Sequence, residues 1–128
     1  MTPNGPASAP SRKSIPGMIV WYGALAGPFG VMCGFLQAQA HLQLVSAIVD
    51  DGLDPQAALE RPRFMVDGDV VKLEEGLWQR DADLRKLGIE TVREPNTGYF
   101  GGGQAILAVG DVLVGGSDPR KDGYAGGF

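Results

Sequence analysis

Residues 27–52, GPFGVMCGFLQAQAHLQLVSAIVDDG, decide how the rest of the chain is read. A glycine-punctuated segment, Gly27 to Gly34, leads into a run from Phe35 to Val49 without Gly or Pro. Ala38, Leu42, Val45 and Val49 share one helical face, and Leu44, Ala47 and Ile48 carry the apolar surface well round the cylinder. Such a pattern predicts a helix over Phe35–Asp51 that is buried between layers. Gly52 stands where a left-handed C-cap belongs, so the helix stops there although Asp50 and Asp51 oppose its dipole. At the other end, a glycine-rich strand-to-helix turn places Cys33 and Gly34 at a helix N-terminus. Backbone N–H groups at such a start lack intrahelical partners and can face an anion or a developing oxyanion.

Working outward, the 128 residues suffice for one modest domain with its own core. Apolar content of 44% and charged content of 20% are ordinary for a globular chain. Twenty glycines are not, and they cluster near 23–34, 98–103 and 115–127, which predicts many tight turns. A net charge of −4 argues against a nucleic-acid surface. One cysteine excludes an internal disulfide, and with one histidine it is too little for a zinc site; no cofactor is expected. No apolar run approaches the roughly 18 residues a membrane span needs, and the N-terminus has no apolar signal core, so the cytoplasm is the favoured compartment.

Residues 1–14, MTPNGPASAPSRKS, read as a disordered leader or linker, which leaves 15–128 as the ordered part. Strands are expected at 15–21 and 25–32 ahead of the long helix. Asp54-Pro55 starts a second helix that Pro62 ends near Glu60. Arg63–Val66 and Val70–Glu74 are short strands about an Asp67-Gly68-Asp69 turn. Leu77–Leu87 returns to helix with Gly88 as its cap, and Ile89–Arg93 to strand. Residues 94–103 form a loop; 104–109 and 112–115 form a hairpin about Gly110-Asp111. The expected class is α+β in layers.

Several side chains invite a chemical role. Cys33, at a helix start, could be an activated thiol, but a buried cysteine is more often a small hydrophobe. His41, inside the helix, reads as a core or interfacial histidine in preference to a general base. Asp50, Asp51 and Asp54 lack the spacing of a metal loop and read as a solvated turn. Asp118-Pro119-Arg120 reads first as a turn locked by an ion pair, with ligand binding second. Thr2 is a nucleophile type only if it becomes N-terminal, and nothing around it would hold it in a site.

The order GPFGVMCG, VDDGLDPQAALERPRF, VKLEEGL, LRKLGIE, GGGQAI and GSDPRKDGYAGGF resembles the C-terminal part of the small subunit of γ-glutamyltranspeptidases (γ-glutamyltransferases), in particular their acylase-like branch. DGLDPQAALERPRF and GSDPRKDGYAGGF are the most specific pieces. The resemblance implies part of a four-layer α/β/β/α sandwich of the N-terminal nucleophile hydrolases, incomplete in this chain. It implies a precursor that cleaves itself into two subunits, with the new N-terminal Thr attacking a γ-glutamyl or related acyl amide such as glutathione. The expected partners are then the large subunit and the N-terminal part of the small subunit of the same precursor, together with a small-molecule amide, and neither nucleic acid nor membrane.

The family's oxyanion and acyl-binding loop, usually Pro-Gly-Gly, falls on Met32-Cys33-Gly34, of which only Gly34 is kept. The resemblance therefore assigns a main-chain oxyanion hole to Cys33 and Gly34 and substrate contact to Met32 and Gly34. The serine pair that holds the glutamate carboxylate in classical members falls near Lys13-Ser14. The family's nucleophile segment, Thr-Thr-His, is not among these residues, so the chain alone is expected to be inactive. A second possibility from another class, a non-catalytic binding or partner domain derived from the family, stays open on the sequence.

Overall fold

A computed structural model describes residues 13–15, 18–21, 24–32 and 34–127. Eleven regular elements follow in order: β1 Lys13–Ile15, β2 Met18–Trp21, β3 Ala24–Met32, α1 Gln37–Val49, α2 Pro55–Glu60, β4 Phe64–Asp67, β5 Val70–Leu73, α3 Asp81–Lys86, β6 Glu90–Arg93, β7 Gly102–Val109 and β8 Val112–Ser117. Short 3-10 turns occupy Gly34–Leu36, Glu75–Arg80 and Thr97–Phe100. β1 takes in Lys13 and Ser14, which the sequence assigns to the leader; the remainder of that leader lies outside the described residues.

The strands form two sheets. One is antiparallel in the order β1-β2-β3-β7-β8; the other, β4-β5-β6, pairs β5 with β6 in parallel through α3. Period-two alternation explains how the larger sheet buries one face. Gly27, Phe29 and Val31 of β3 and Gly103 and Ala105 of β7 point into the core, while Gly30, Met32, Gln104 and Ile106 point away. α1 and α2 cover the buried face through Ala40, Leu44, Ala47, Ile48, Ala58 and Leu59, with Leu36, Met65 and Phe100 closing the cluster. Each of the larger of these side chains contributes roughly 1.5–3 kcal/mol by leaving water.

α1 departs from the sequence expectation in one respect. It is buried along one stripe, and Leu42 is 71% exposed on the opposite side. The all-round apolar pattern therefore meets only one layer within this chain. Gly52, with φ +68°, does cap the end of the helical segment, and Gly88, with φ +81°, follows α3 as expected. The expected 77–87 helix is split: Glu75–Arg80 is a 3-10 turn, and only Asp81–Lys86 is α-helical.

Glutamine amides complete the edges of the strands. Gln39 donates to the Val66 carbonyl at 3.0 Å and accepts the Val66 N–H at 2.8 Å. Gln43 does the same at Phe64, at 2.9 and 3.2 Å. Gln56 of α2 repeats the arrangement at Ser117 of β8, with both bonds at 3.0 Å. Each side-chain amide occupies one strand residue as a neighbouring strand would. Gly116 makes the last of these possible, because a Cβ there would stand 2.7 Å from the backbone of Pro55 and Gln56.

Candidate functional site

The stretch assigned to the oxyanion loop lies where β3 hands over to α1. Met32 ends β3, with its side chain 76% exposed. Gly34 opens the 3-10 turn that runs into α1, and a Cβ added there would meet nothing within 4 Å. Cys33 lies outside the described residues. No described side chain caps the start of α1, and no acidic residue occupies its first turn. α1 thus continues directly from the 3-10 turn, with Leu36 at its N-cap position already in a helical conformation.

Two contacts set the course of β3 as it reaches this point. On one side it pairs with β7 in the register Val31↔Gly103 and Met32↔Gly102. In addition, His41 Nε2 accepts the Val31 N–H at 3.0 Å, and Phe29 stands edge-on to the imidazole with ring centroids 5.1 Å apart. His41 thus has a structural partner, as the interfacial reading expects, but it touches backbone rather than core side chains alone. Burial lowers its pKa from the ordinary 6.5. An open cleft of about 580 Å³ runs beside this junction, lined by Met32, Gln37, His41, Gln104, Lys121 and Asp122 among others. Lys13 and Ser14 sit on β1, at the sheet's far edge two strands from β3.

Behind β7 lies a buried group of four charges that the sequence did not join. Arg63 Nη2 donates to Asp118 Oδ2 at 2.7 Å, and its Nη1 donates to the Phe100 carbonyl at 2.8 Å. Arg120 Nε donates to Glu74 Oε1 at 2.6 Å and its Nη2 to Glu74 Oε2, a bidentate fork. Arg120 Nη1 also donates to Asp118 Oδ1 and to the Leu59 carbonyl, at 3.0 and 2.7 Å. The Gly103 N–H donates to Asp118 Oδ2 at 2.9 Å, and the Arg63 N–H to Glu74 Oε2 at 2.8 Å. The side chains of this set are all less than a tenth exposed. Two cations and two anions balance, and among the described residues no buried side-chain nitrogen or oxygen lacks a partner.

Burial by itself would raise the Asp118 carboxyl; the Arg120 N–H and the two guanidinium groups more than offset it and hold the pKa below the usual value. The expected turn-locking pair between Asp118 and Arg120 is present, including the Arg120 N–H on Oδ1 at 3.0 Å. Arg63 and Glu74 are the residues the sequence left out. Arg63 lies inside the Arg-Pro-Arg-Phe block, whereas Glu74 carries no local signal. The four charges join the end of α2, the start of β4, the end of β5 and the start of β7. The group reaches β3 through Gly103, which bonds Asp118 and is the register partner of Val31. The acidic residues at the α1–α2 junction act structurally: Asp54 accepts the Ala57 N–H at 2.9 Å as the N-cap of α2, and Asp51 pairs with Arg61.

Comparison with known proteins fits this architecture. The family model for gamma-glutamyltranspeptidase matches residues 4–128. Among solved structures, cephalosporin acylase from Bacillus halodurans is 36% identical with a TM-score of 0.78, over 84% of this chain and 21% of that one. Gamma-glutamyltranspeptidase from Pseudomonas nitroreducens, complexed with L-DON, is 19% identical with a TM-score of 0.76, over 99% of this chain and 67% of that one. The T380A mutant of the Helicobacter pylori enzyme is 23% identical with a TM-score of 0.74, over 88% of this chain and 62% of that one. The last two similarities speak for the fold alone, and the chain spans about a fifth of the acylase. No match was found among curated proteins. The fold is accordingly part of an N-terminal nucleophile hydrolase sandwich, one helical layer on one larger sheet. With a family model matched over nearly its whole length, the chain belongs to the gamma-glutamyltranspeptidase family.

Proposed function

We propose that this chain supplies the oxyanion and acyl-binding loop of an enzyme that hydrolyses or transfers γ-glutamyl or related acyl groups from amides. In that enzyme, the large subunit and the N-terminal part of the small subunit provide the nucleophile and the rest of the pocket. The observation that carries this reading is Gly34: a side-chain-free residue with open space around it, at the first position of the 3-10 turn that leads from β3 into α1. Met32 and Gln37, which flank it, line the adjoining cleft. When a nucleophile adds to an amide carbonyl, negative charge collects on the oxygen. In this reading the main-chain N–H groups of residues 33 and 34 face that charge, and donors that belong to the backbone need little reorganisation as it forms. Because the donors belong to the backbone, Met32 and Cys33 in place of Pro and Gly need not alter the donor set.

The test is a complex in which this chain replaces the corresponding part of the acylase small subunit, assayed on chromogenic acyl anilides. Gly34→Pro removes one N–H at a position where a helix start tolerates proline. Turnover should fall by about 10²–10³-fold, with KM changed far less. Unchanged turnover in a folded, processed Gly34→Pro complex would rule out the assignment.

A further inference from the structure

His41 is the only histidine of the chain, and the proposed chemistry does not use it. Its Nε2 accepts the Val31 N–H at 3.0 Å, and Val31 is 2% exposed, so this backbone donor has no ready access to water. An imidazole can accept at Nε2 only when that nitrogen is bare, which places the single proton on Nδ1. Protonation would turn both nitrogens into donors and set N–H against N–H. The bond therefore exists only in the neutral state. It is made one residue before Met32, and so at the entry to the candidate loop.

We propose that His41 is a positioning residue, a proton-operated latch that holds the end of β3 in place when neutral and releases it when charged. The latch is a property of this chain, whereas its consequence for catalysis rests on the function proposed above. Among the described residues, Lys121 and Asp122 are the charged groups that share the cleft with the imidazole. β3, β7 and α1 bring no charged side chain to it. Lys121 opposes a charged imidazole and Asp122 favours one, which leaves burial to set the direction: the pKa lies below 6.5. The sign follows. The latch is closed above that pH; below it the unfolded chain takes up the proton first, so the folded state loses stability as pH falls through about 6.5.

A lone histidine makes the test clean. Nitrogen NMR of the isotope-labelled chain at about pH 7.5 should show a neutral imidazole with the proton on Nδ1 and a through-bond coupling from Val31 N to His41 Nε2. The hydrogen-exchange protection of Val31, corrected for intrinsic rate, should drop about tenfold as His41 titrates, with the same midpoint. His41→Gln retains an acceptor that does not titrate and should abolish that step while keeping Val31 protected; His41→Phe should lower protection at every pH. A proton on Nε2, or Val31 protection that ignores the titration of His41, would overturn the latch. In the active complex, the acid limb assigned to His41 should vanish in His41→Gln. If the NMR arm succeeds and that limb is unchanged, the assignment of the loop falls and the latch stands.

Discussion

Replacing Asp118 with Asn tests the charge network most directly, because the change preserves size and shape. Oδ2 of Asp118 takes N–H groups from Arg63 and Gly103, and Oδ1 takes two from Arg120. Whichever way an asparagine is turned, its NH₂ group must face two donors. Two hydrogen bonds are lost, and two buried guanidinium groups are left with Glu74 as the only carboxylate of the set. Breaking one side of a buried ion pair costs about 3–5 kcal/mol, a large share of the 5–15 kcal/mol that typically holds a domain together. With a urea slope of about 2 kcal/mol/M, the midpoint should fall by about 2 M. The measurement is urea unfolding followed by circular dichroism, with exposed Asp122→Asn as a control expected to stay within about 0.5 kcal/mol. The pH dependence supplies a second check. The Asp118 pKa is depressed, so its contribution is complete above the ordinary value of about 3.9 and fades as pH falls further. The gap between the two proteins should therefore narrow in acid. A midpoint shift under about 0.3 M at neutral pH, near 0.6 kcal/mol on the same slope, would refute this account.

Further perturbations separate the other elements. Gly116→Ala, whose Cβ meets backbone of α2, should destabilise by about 1–3 kcal/mol, whereas Gly30→Ala, with nothing within 4 Å, should be near neutral in the same melts. Gln39→Leu and Gln43→Leu should each cost about 0.5–1.5 kcal/mol. The double variant, with an uncovered β4 edge, should self-associate in concentration-dependent light scattering; a strictly monomeric double variant would count against edge protection. Asp81 receives the Thr91 hydroxyl, the Arg85 Nε at 2.8 Å and the Arg93 Nε at 3.1 Å, and these bonds lower its pKa to about 2. Its stabilising effect is full above about pH 4 and lost toward pH 2, so Asp81→Asn should flatten the acid limb of urea midpoints measured across that window.

What could be read from the chain divides by range. Helix ends were legible where one or two residues settle them: Gly52 by its positive φ, and Asp54-Pro55 by an N-cap next to a residue that has no N–H to satisfy. The hairpins at Gly68-Asp69 and Gly110-Asp111 were legible for the same local reason. The 3-10 turn at Glu75–Arg80 was not, because its only apolar residues, Leu77 and Trp78, are adjacent and set no period that separates it from an α-helix. Nor was the stripe that α1 buries: an apolar surface on every side leaves the choice to the layers that are present. Arg63, Glu74 and Asp118 stand far apart in sequence, and only the closing of β5, β7 and β8 around α2 brings them together. Nothing in the spacing of Gln39, Gln43 and Gln56 reveals that their amides finish a sheet.

The pairing of α1 with the edge of β4 has a metrical consequence. Four residues along a helix advance about 6.0 Å, and two along a strand about 6.8 Å. Gln39 and Gln43 can therefore meet Val66 and Phe64 together only if the helix lies nearly antiparallel to the strand edge. Sliding the helix by one residue advances it about 1.5 Å and turns it about 100°, which unseats both amides at once. The pair works as a gauge with two marks, fixing both the height and the rotation of α1. Gly34 and His41 ride on the helical segment so gauged, and the position of the candidate loop is thereby referred to a sheet that contributes no strand to it.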